Sequence, residues 1–350
     1  MTKKDLILGG GQYLKPGQSA EQMSFVFSVL QPESDRPTLI GTSFLPHAVA
    51  LKPDQPTTMA VFEKKGPGAC EIDLNSMTLT RTIETVPERH FYGHGAYSSD
   101  AGLLYCTESY LDDFKGVIAV RDADSHQLLG EFPTYGEEPH ECQLIDDGRV
   151  MVVTNGGGRM GGDAPCVTYI DVQTEKLLER VEMTSEQINT GHFALDADGG
   201  LIVVSAPRAG RELTDNGGVS IRPAGGEMLS KVEPADIVAR MKGEALSVAI
   251  HEASRVAAVA HPDGDMVTFW SMQDGSFIKV MDFPRPRGIC LNTEDTGFYI
   301  SYGSDTRLGL VDARNLELDE DNVRVNTFQS GSHIFNWIRD VENLGFDIKL

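Results

Sequence analysis

The sequence lacks the features by which disulfide-rich and membrane-spanning proteins are recognised. Its 350 residues include five cysteines, none of them in a CxxC pair, and an odd number without close spacing does not form a disulfide framework. No run of 18 apolar residues occurs, which excludes a transmembrane helix. Residues 1–10 are charged and lack the apolar segment of a signal peptide. We therefore expect no membrane span, and either a cytoplasmic protein or a mature form without its leader.

Basic residues are scarce relative to acidic ones. The chain has 30 Lys and Arg against 52 Asp and Glu, and its formal net charge is −22. Binding to nucleic acid depends on a basic surface that replaces the counterions of the phosphates. We therefore expect no nucleic-acid partner. The acidic residues lie mostly in turn segments, and we interpret them as a solubilising surface that attracts cations only weakly.

Long stretches with helical periodicity are also missing. Val, Ile, Thr, Phe and Tyr recur in bursts of about four to six residues between clusters of Gly, Asp, Asn and Pro, a pattern typical of many short strands. The best candidate for a short helix is 233–245. The sequence therefore predicts an all-β protein.

A phrase that opens with a histidine and continues as a strand recurs along the chain. A second strand follows each phrase, and then a third and a fourth joined by a polar turn such as Asp122-Ala123-Asp124. The spacings are 47, 46, 52, 55, 40 and 46 residues, about the length of one four-stranded β-propeller blade. The predicted blades start near His47, His94, His140, His192, Ser247, Arg287 and His333.

The seventh repeat runs out of chain before it can complete a blade. Candidate strands without a blade of their own lie at the other end of the sequence, at 5–11, 23–30 and 38–44. We predict that residues 5–44 complete the last blade, which ties the termini together and removes an open sheet edge. The predicted fold is a seven-bladed β-propeller in one domain, 1–350, and we expect a monomer.

The repeated histidines lie where the innermost strand of each blade begins, so the repeat predicts that they face the central channel. Five of the seven positions are histidine, on blades that are consecutive around the ring. A lone histidine in this place often bonds the backbone of a neighbouring turn, and this packing role remains an alternative. Neutral imidazoles that face one centre suit a transition metal. The predicted ligands of iron or copper are His47, His94, His140, His192 and His333.

Other polar residues are candidates for the surroundings of these ligands, because a metal-bound imidazole usually donates its second N–H to a carboxylate or carbonyl. The candidates are Arg287, Ser247, Glu108, Glu141, Asn155 and His261. Arg287 either holds an anionic ligand or pairs with an acid in the channel. The acids and the amide can equally be solvent-exposed or cap turns. His90 and His126 fall outside the repeat, and we expect both at the surface.

Two stretches resemble a known family. They are "HGAYSSDAGLLYCTESYLDDFKGVIAVRDA" from residue 94 and "YGEEPHECQLIDDGRVMVVTNGG" from residue 135. They are similar to a bacterial family of YVTN/WD-repeat-like β-propellers catalogued as a domain of unknown function, best over 90–210. The resemblance implies export to the periplasm by the twin-arginine route and genes beside imelysin-type and other iron-uptake proteins. It therefore implies a periplasmic location and an iron-uptake protein as a partner, and it implies no particular activity.

Three functions remain open from the sequence. The first is a periplasmic metal-binding propeller with iron or copper on the histidine arc, in metal acquisition or redox chemistry. The second is a metal-independent hydrolase or lactonase whose His and Glu residues act as general acids and bases. The third is a non-catalytic interaction scaffold. No motif assigns a catalytic residue, so the sequence leaves open whether the protein is an enzyme.

Overall fold

The structure is a computed structural model that describes residues 4–15, 17, 19–34 and 36–346. Strands dominate this part of the chain. The α-helices within it are α1 (Ala235–Val238) and α2 (Trp337–Asn343), and α1 lies inside the segment predicted to be helical. None of the described helices is long and apolar enough to cross a membrane. The all-β prediction is confirmed.

The described residues divide into two compact units, each of which we describe by itself. One, the three-blade unit, comprises Thr42–Gly191 and Arg208–Arg211. The chain before it carries β1 (Ile7–Tyr13), β2 (Ser24–Leu30) and β3 (Thr38–Thr42). Blade 1 of the three-blade unit contains β4 (Pro46–Leu51), β5 (Thr58–Glu63), β6 (Ala69–Asp73) and β7 (Thr78–Thr82). Blade 2 contains β8 (Arg89–Tyr97), β9 (Leu103–Tyr110), β10 (Lys115–Asp122) and β11 (Leu128–Glu137). Blade 3 contains β12 (Pro139–Ile145), β13 (Val150–Asn155), β14 (Cys166–Asp171) and β15 (Lys176–Glu182).

The other unit, the four-blade unit, comprises Met1–Gly41, His192–Pro207 and Glu212–Leu350. Blade 4 contains β16 (Phe193–Leu195), β17 (Leu201–Ser205), β18 (Gly218–Arg222) and β19 (Leu229–Ser230). Blade 5 contains β20 (Ser247–His251), β21 (Val256–His261), β22 (Met266–Ser271) and β23 (Phe277–Asp282). Blade 6 contains β24 (Ile289–Leu291), β25 (Gly297–Tyr302) and β26 (Arg307–Asp312), and blade 7 contains β27 (Ile334–Asn336). The described strands thus form seven blades of a β-propeller, as predicted. The prediction of a single domain stays a prediction.

The N-terminal strands complete blade 7. The strand order in this sheet is β27-β1-β2-β3, and β1 pairs antiparallel with β27, so that Ile7 lies opposite Asn336 and Gly9 opposite Ile334. The predicted closure is therefore confirmed. It gives the short β27 a neighbour, without which its backbone groups would be an open edge.

Blade 6 departs from the four-strand prediction. The sequence suggested a fourth strand after the turn that follows β26. In the structure this segment pairs with β26 only through two isolated bridges, Leu308 with Arg324 and Val311 with Leu318, and Glu320–Asn322 form a 3₁₀ turn between them. Three consecutive acidic residues, 319–321, disfavour a regular edge strand, because strand propensity is low for Asp and Glu.

Apolar layers join neighbouring blades within each unit. In the three-blade unit Phe62 of blade 1 packs in one cluster with Phe91 and Leu104 of blade 2. All five cysteines are free thiols, and four of them are buried. Cys142 is the small core residue that the repeat predicted. Burial raises the pKa of the Cys70 thiol to about 12, so this thiol is protonated and unreactive at neutral pH.

A recurring turn joins the third and fourth strands of several blades. In blade 2 the carboxylate of Asp122 accepts the backbone N–H of Ser125 at 2.8 Å, and Asp171 accepts that of Thr174 in the same way. The next residue then adopts a left-handed conformation, with φ +60° at His126 and +58° at Glu175. These are the side-chain-to-backbone bonds that make Asp a turn-forming residue.

A buried carboxylate fastens the N-terminus to blades 6 and 7. Asp5 accepts the backbone N–H of Thr293 at 2.7 Å and the side-chain N–H of Asn336 at 2.7 Å. Its other oxygen accepts the hydroxyl of Tyr299 at 3.0 Å. These bonds link residues that are 288 to 331 positions apart in the sequence, and they stabilise the closed form of blade 7.

Replacing Asp5 with alanine is expected to lower the free energy of unfolding by about 2–4 kcal/mol, because buried donors on three residues lose their acceptor. Tyr299→Phe, which removes only one of these bonds, is expected to cost about 1 kcal/mol. Urea denaturation followed by circular dichroism measures both. Equal stability of Asp5→Ala and the parent would show that the closure does not depend on this carboxylate.

Candidate metal centre

The histidines of blades 1, 2 and 3 each lie at an irregularity in the first strand of the blade. The register with the second strand shifts between Pro46 and Ala48 in blade 1, between Phe91 and Gly95 in blade 2, and between Pro139 and Cys142 in blade 3. His47, His94 and His140 fall within these shifts. Such bulges re-aim a side chain that regular strand geometry would direct elsewhere.

The three side chains form a compact, buried triangle, which we call the imidazole triad. The ring centroids of His47 and His94 lie 5.0 Å apart, those of His47 and His140 5.5 Å, and those of His94 and His140 5.4 Å. Each residue offers a ring nitrogen, and these nitrogens lie within 4.8 Å of one another. The residues are 4–6% exposed. Three neutral imidazoles in this arrangement are a donor set for one transition-metal ion.

Gly93 makes the approach of His47 and His94 possible. Its φ is +108°, and a Cβ atom at this position would lie 2.5 Å from Cδ2 of His47 and 3.2 Å from Nε2. An L-amino acid other than glycine would therefore clash with the ring and strain the backbone. Position 93, directly before His94, thus has to be glycine for the His47 ring to lie in the triad.

A hydroxyl ties the backbones of two triad residues together. The Thr107 side chain on β9 is fully buried, and its Oγ1 lies 3.0 Å from the carbonyl oxygen of His94 and 3.0 Å from that of His140. Its single proton bonds one carbonyl at a time. Blade 3 carries a similar contact, in which Thr154 donates to the carbonyl of Gly191 at 2.6 Å. The Thr107 contact fixes the positions of blades 2 and 3 relative to each other at the level of the triad.

A small polar cluster lies beside the triad. The ring of Tyr92 is perpendicular to that of His140 at 6.2 Å, and Nζ of Lys65 lies 4.9 Å from the centroid of the Tyr92 ring and 3.5 Å from Oε2 of Glu138. Burial, reinforced by Glu138, raises the pKa of the Tyr92 phenol. Sequence reasoning missed Lys65 and Tyr92. Tyr92 and Glu138 flank the repeated histidines by two positions, but neither residue type repeats between blades.

In the four-blade unit, His192 and His333 form a pair. Their ring centroids lie 4.0 Å apart, and both residues are buried. Nδ1 of His192 lies 2.5 Å from the carbonyl oxygen of Leu246. A carbonyl can only accept, so this nitrogen carries the proton, and in the neutral ring Nε2 then carries the lone pair. His192 thus has the tautomer of a metal ligand held by a backbone carbonyl, and its predicted role as a ligand, like that of His333, stays a prediction.

The structure places the predicted surrounding residues of the three-blade unit as follows. The carboxylate of Glu108 is fully buried and pairs with Arg121 at 2.7 Å and Arg89 at 3.4 Å. The side-chain amide of Asn155 donates to Oγ1 of Thr168 at 3.1 Å. The backbone N–H of Glu141 donates to Oγ1 of Thr154. Their predicted role as partners of metal ligands stays a prediction.

In the four-blade unit, Ser247 accepts the backbone N–H of Ile289 at 3.1 Å, and Nε of Arg287 donates to the carbonyl of Gly331 at 3.1 Å. His261 is fully buried with Nε2 2.9 Å from Oγ1 of Thr268. Burial, reinforced by Arg240, lowers the pKa of His261 to about 3. This imidazole is therefore neutral throughout the physiological range.

The surface prediction is wrong for His126. This residue is 5% exposed, and its Nε2 lies 3.6 Å from Oε2 of Glu71 on the neighbouring blade 1. Burial lowers the pKa of the imidazole although Glu71 acts in the opposite direction. The hairpin tip that carries His126 packs against blade 1 instead of projecting into solvent. His90 is half-buried.

The fold and the triad define the chain as a seven-bladed β-propeller with a buried cluster of imidazoles that can hold a metal ion. The chain belongs to the family described as "Protein of unknown function (DUF1513)", which matches residues 45–333. This is the kind of family that the sequence resembled. No protein of curated function matches the sequence.

Two solved structures illustrate the likeness in fold. A Kuenenia stuttgartiensis hydrazine synthase chain is 13% identical with a TM-score of 0.65, and the match covers 84% of this chain and 93% of that one. The dihydro-heme d1 dehydrogenase NirN, in complex with DHE, is 10% identical with a TM-score of 0.59, and the match covers 95% of this chain and 69% of that one. At these identities the likeness concerns the fold alone.

Proposed function

We propose that the protein is a metal-binding β-propeller in which His47, His94 and His140 hold one transition-metal ion. The observation that carries the proposal is the imidazole triad, three buried histidines from three successive blades with ring nitrogens within 4.8 Å of one another. A metal–nitrogen bond of roughly 2.0–2.1 Å puts two such nitrogens about 3.4 Å apart in a tetrahedral site. Small side-chain rotations therefore suffice to close the triad on an ion.

The donor set favours copper over iron. Among the described residues, no carboxylate or thiolate belongs to the cluster. Imidazole ligands bind copper more tightly than the other divalent ions of the first transition row, whereas non-haem iron sites commonly combine two histidines with a carboxylate. The family resemblance, with its iron-uptake setting, favours iron. We propose copper as the first metal to test and iron as the second.

The protein is proposed to act in the periplasm, in metal acquisition or in redox chemistry. A buried ion on three imidazoles with an open position can bind a further ligand as a Lewis acid or change its oxidation state. The periplasmic location rests on the family resemblance. An iron-uptake protein as partner rests on the same resemblance.

A haem-like cofactor is a weaker candidate. The structure of NirN, a dihydro-heme d1 dehydrogenase in complex with DHE, has a similar propeller fold. A haem iron is held axially by one or two protein ligands above an extended macrocycle. The triad rings stand only 5.0–5.5 Å apart, which leaves no slot for a macrocycle between them. The triad thus fits a bare ion better than a tetrapyrrole.

The proposal predicts that protein purified without an affinity tag binds close to one equivalent of Cu²⁺. A His94→Ala/His140→Ala variant is expected to bind Cu²⁺ at least about 100-fold more weakly. Mutating residues that only hydrogen-bond to metal ligands already lowers metal affinity 10- to 100-fold, and this variant removes two ligands. Competition against a chromogenic chelator measures the affinity, and elemental analysis measures the metal content. Affinity should fall as the pH is lowered, because protons compete for the imidazoles.

Control measurements test the metal site and distinguish the candidate functions. His90→Ala, a histidine outside the triad, should bind copper as the parent does. A parent that binds none of copper, iron or zinc would refute the metal site and favour the interaction scaffold. A hydrolase or lactonase activity that survives chelation would favour the metal-independent enzyme. Single His192→Ala and His333→Ala variants test whether the two remaining predicted histidines are ligands.

A further inference from the structure

Arg287 is an unusual residue at its position. It stands where five other repeats carry a histidine, just before β24 of blade 6, in a chain with a net charge of −22. Its side chain is half-buried, and burial lowers the pKa of the guanidinium, which nevertheless stays charged at any physiological pH. A cation withdrawn from water needs an anion or dipoles to compensate it.

The contacts of Arg287 satisfy only one side of the guanidinium. Nε donates to the carbonyl of Gly331 at 3.1 Å. Within the part of the chain that the structure describes, no carboxylate forms an ion pair with Arg287, and Glu244 and Asp263 act on it only at longer range. A guanidinium has five N–H donors, so the edge formed by the two Nη groups remains available to a ligand.

Polar side chains stand at the starts of the strands that neighbour β24, namely β20 and β27. The backbone at Gly288, next to Arg287, packs closely against the segment that leads into β27. A Cβ at Gly288 would lie 2.4 Å from the nitrogen of Ile334 and 3.0 Å from Cα of His333. The hydroxyl of Ser247 accepts the N–H of Ile289, and its own proton has no acceptor among the residues described. The starts of blades 5, 6 and 7 thus bring a hydroxyl, a guanidinium and an imidazole to neighbouring strands.

We propose that Arg287 is the anchor of an anion site in the four-blade unit that binds a small molecule through a carboxylate. The two Nη groups match the two oxygens of a planar carboxylate in a bidentate pair, which is stronger and more directional than a contact with a lysine. The acidic surface as a whole repels anions, so binding has to come from this local fork. The site is independent of the proposed metal.

Saturation-transfer difference NMR with succinate as the probe tests the proposal, at physiological salt and with a chelator present. The parent is expected to give a saturable signal. Arg287→Gln and Arg287→Lys should both weaken binding by about tenfold or more, because the lysine keeps the charge but loses the fork. Arg285→Gln removes an exposed arginine two residues away and should change the affinity by less than about twofold. Circular dichroism checks that each variant is folded.

Three results would overturn the assignment. The first is that the parent shows no saturable binding of succinate. The second is that Arg287→Gln binds succinate as tightly as the parent. The third is that inorganic phosphate displaces succinate at lower concentrations than succinate itself requires, which would indicate a site for tetrahedral oxyanions. The His94→Ala/His140→Ala variant should bind succinate as the parent does. Failure of the metal proposal would therefore leave this result unchanged.

Discussion

Replacing Glu108 with alanine is expected to lower the free energy of unfolding by about 3–5 kcal/mol, because it leaves two buried arginines without their shared counterion. Glu108 is fully buried on β9, and its carboxylate lies 2.7 Å from Nη2 of Arg121 and 3.4 Å from Nε of Arg89. Both arginines are themselves almost completely buried. Urea or thermal denaturation of the variant measures the loss.

The matched control is Glu131→Ala. Glu131 also pairs with Arg89 and accepts the hydroxyl of Tyr110 at 2.7 Å, but it is exposed, and an exposed ion pair contributes about 0–1 kcal/mol. Glu108→Gln keeps a carbonyl oxygen for Arg121 and should fall between the parent and Glu108→Ala. If Glu108→Ala and Glu131→Ala cost the same, burial does not govern the strength of this network.

The blade repeat was predictable because it depends on local signals. Alternating strands and Asp-containing turns each leave a mark in a few consecutive residues, and a histidine marks the same place in five of the seven blades. The failures have a different origin. His126 is buried in contact with Glu71, a residue 55 positions earlier on another blade, and no local pattern encodes that contact.

The ion pairs of Glu108 were not predictable for a related reason. Arg89 and Glu108 lie on strands whose register shifts between Phe91 and Gly95, so strict alternation does not give the side on which each residue emerges. A charged residue at the end of a second strand therefore looked like a possible partner for a histidine. Only the three-dimensional arrangement shows that its carboxylate pairs with two arginines.

Replacing Gly93 with alanine is expected to weaken copper binding by about tenfold or more while all three ligands remain in the sequence. The new Cβ would lie 2.5 Å from the His47 ring, closer than carbon atoms can approach, so His47 must leave the triad. Comparable displacements of groups that orient metal ligands cost 10- to 100-fold in affinity. Copper affinity is measured by chelator competition, and the visible spectrum of the Cu²⁺ form should change with the ligand set.

Gly161→Ala separates this clash from general backbone strain. Gly161 also has a positive φ, +85°, but a Cβ there would meet nothing within 4 Å. Alanine at either position should cost stability, roughly 1–3 kcal/mol for a strained backbone, yet only Gly93→Ala should affect copper. Unchanged copper affinity in Gly93→Ala would mean that His47 does not bind the ion, and a two-histidine site on His94 and His140 would then have to recruit its other ligands elsewhere. A loss of copper affinity with a retained fold would instead establish that Gly93 is needed for the site, because its lack of a side chain leaves space for the His47 ring.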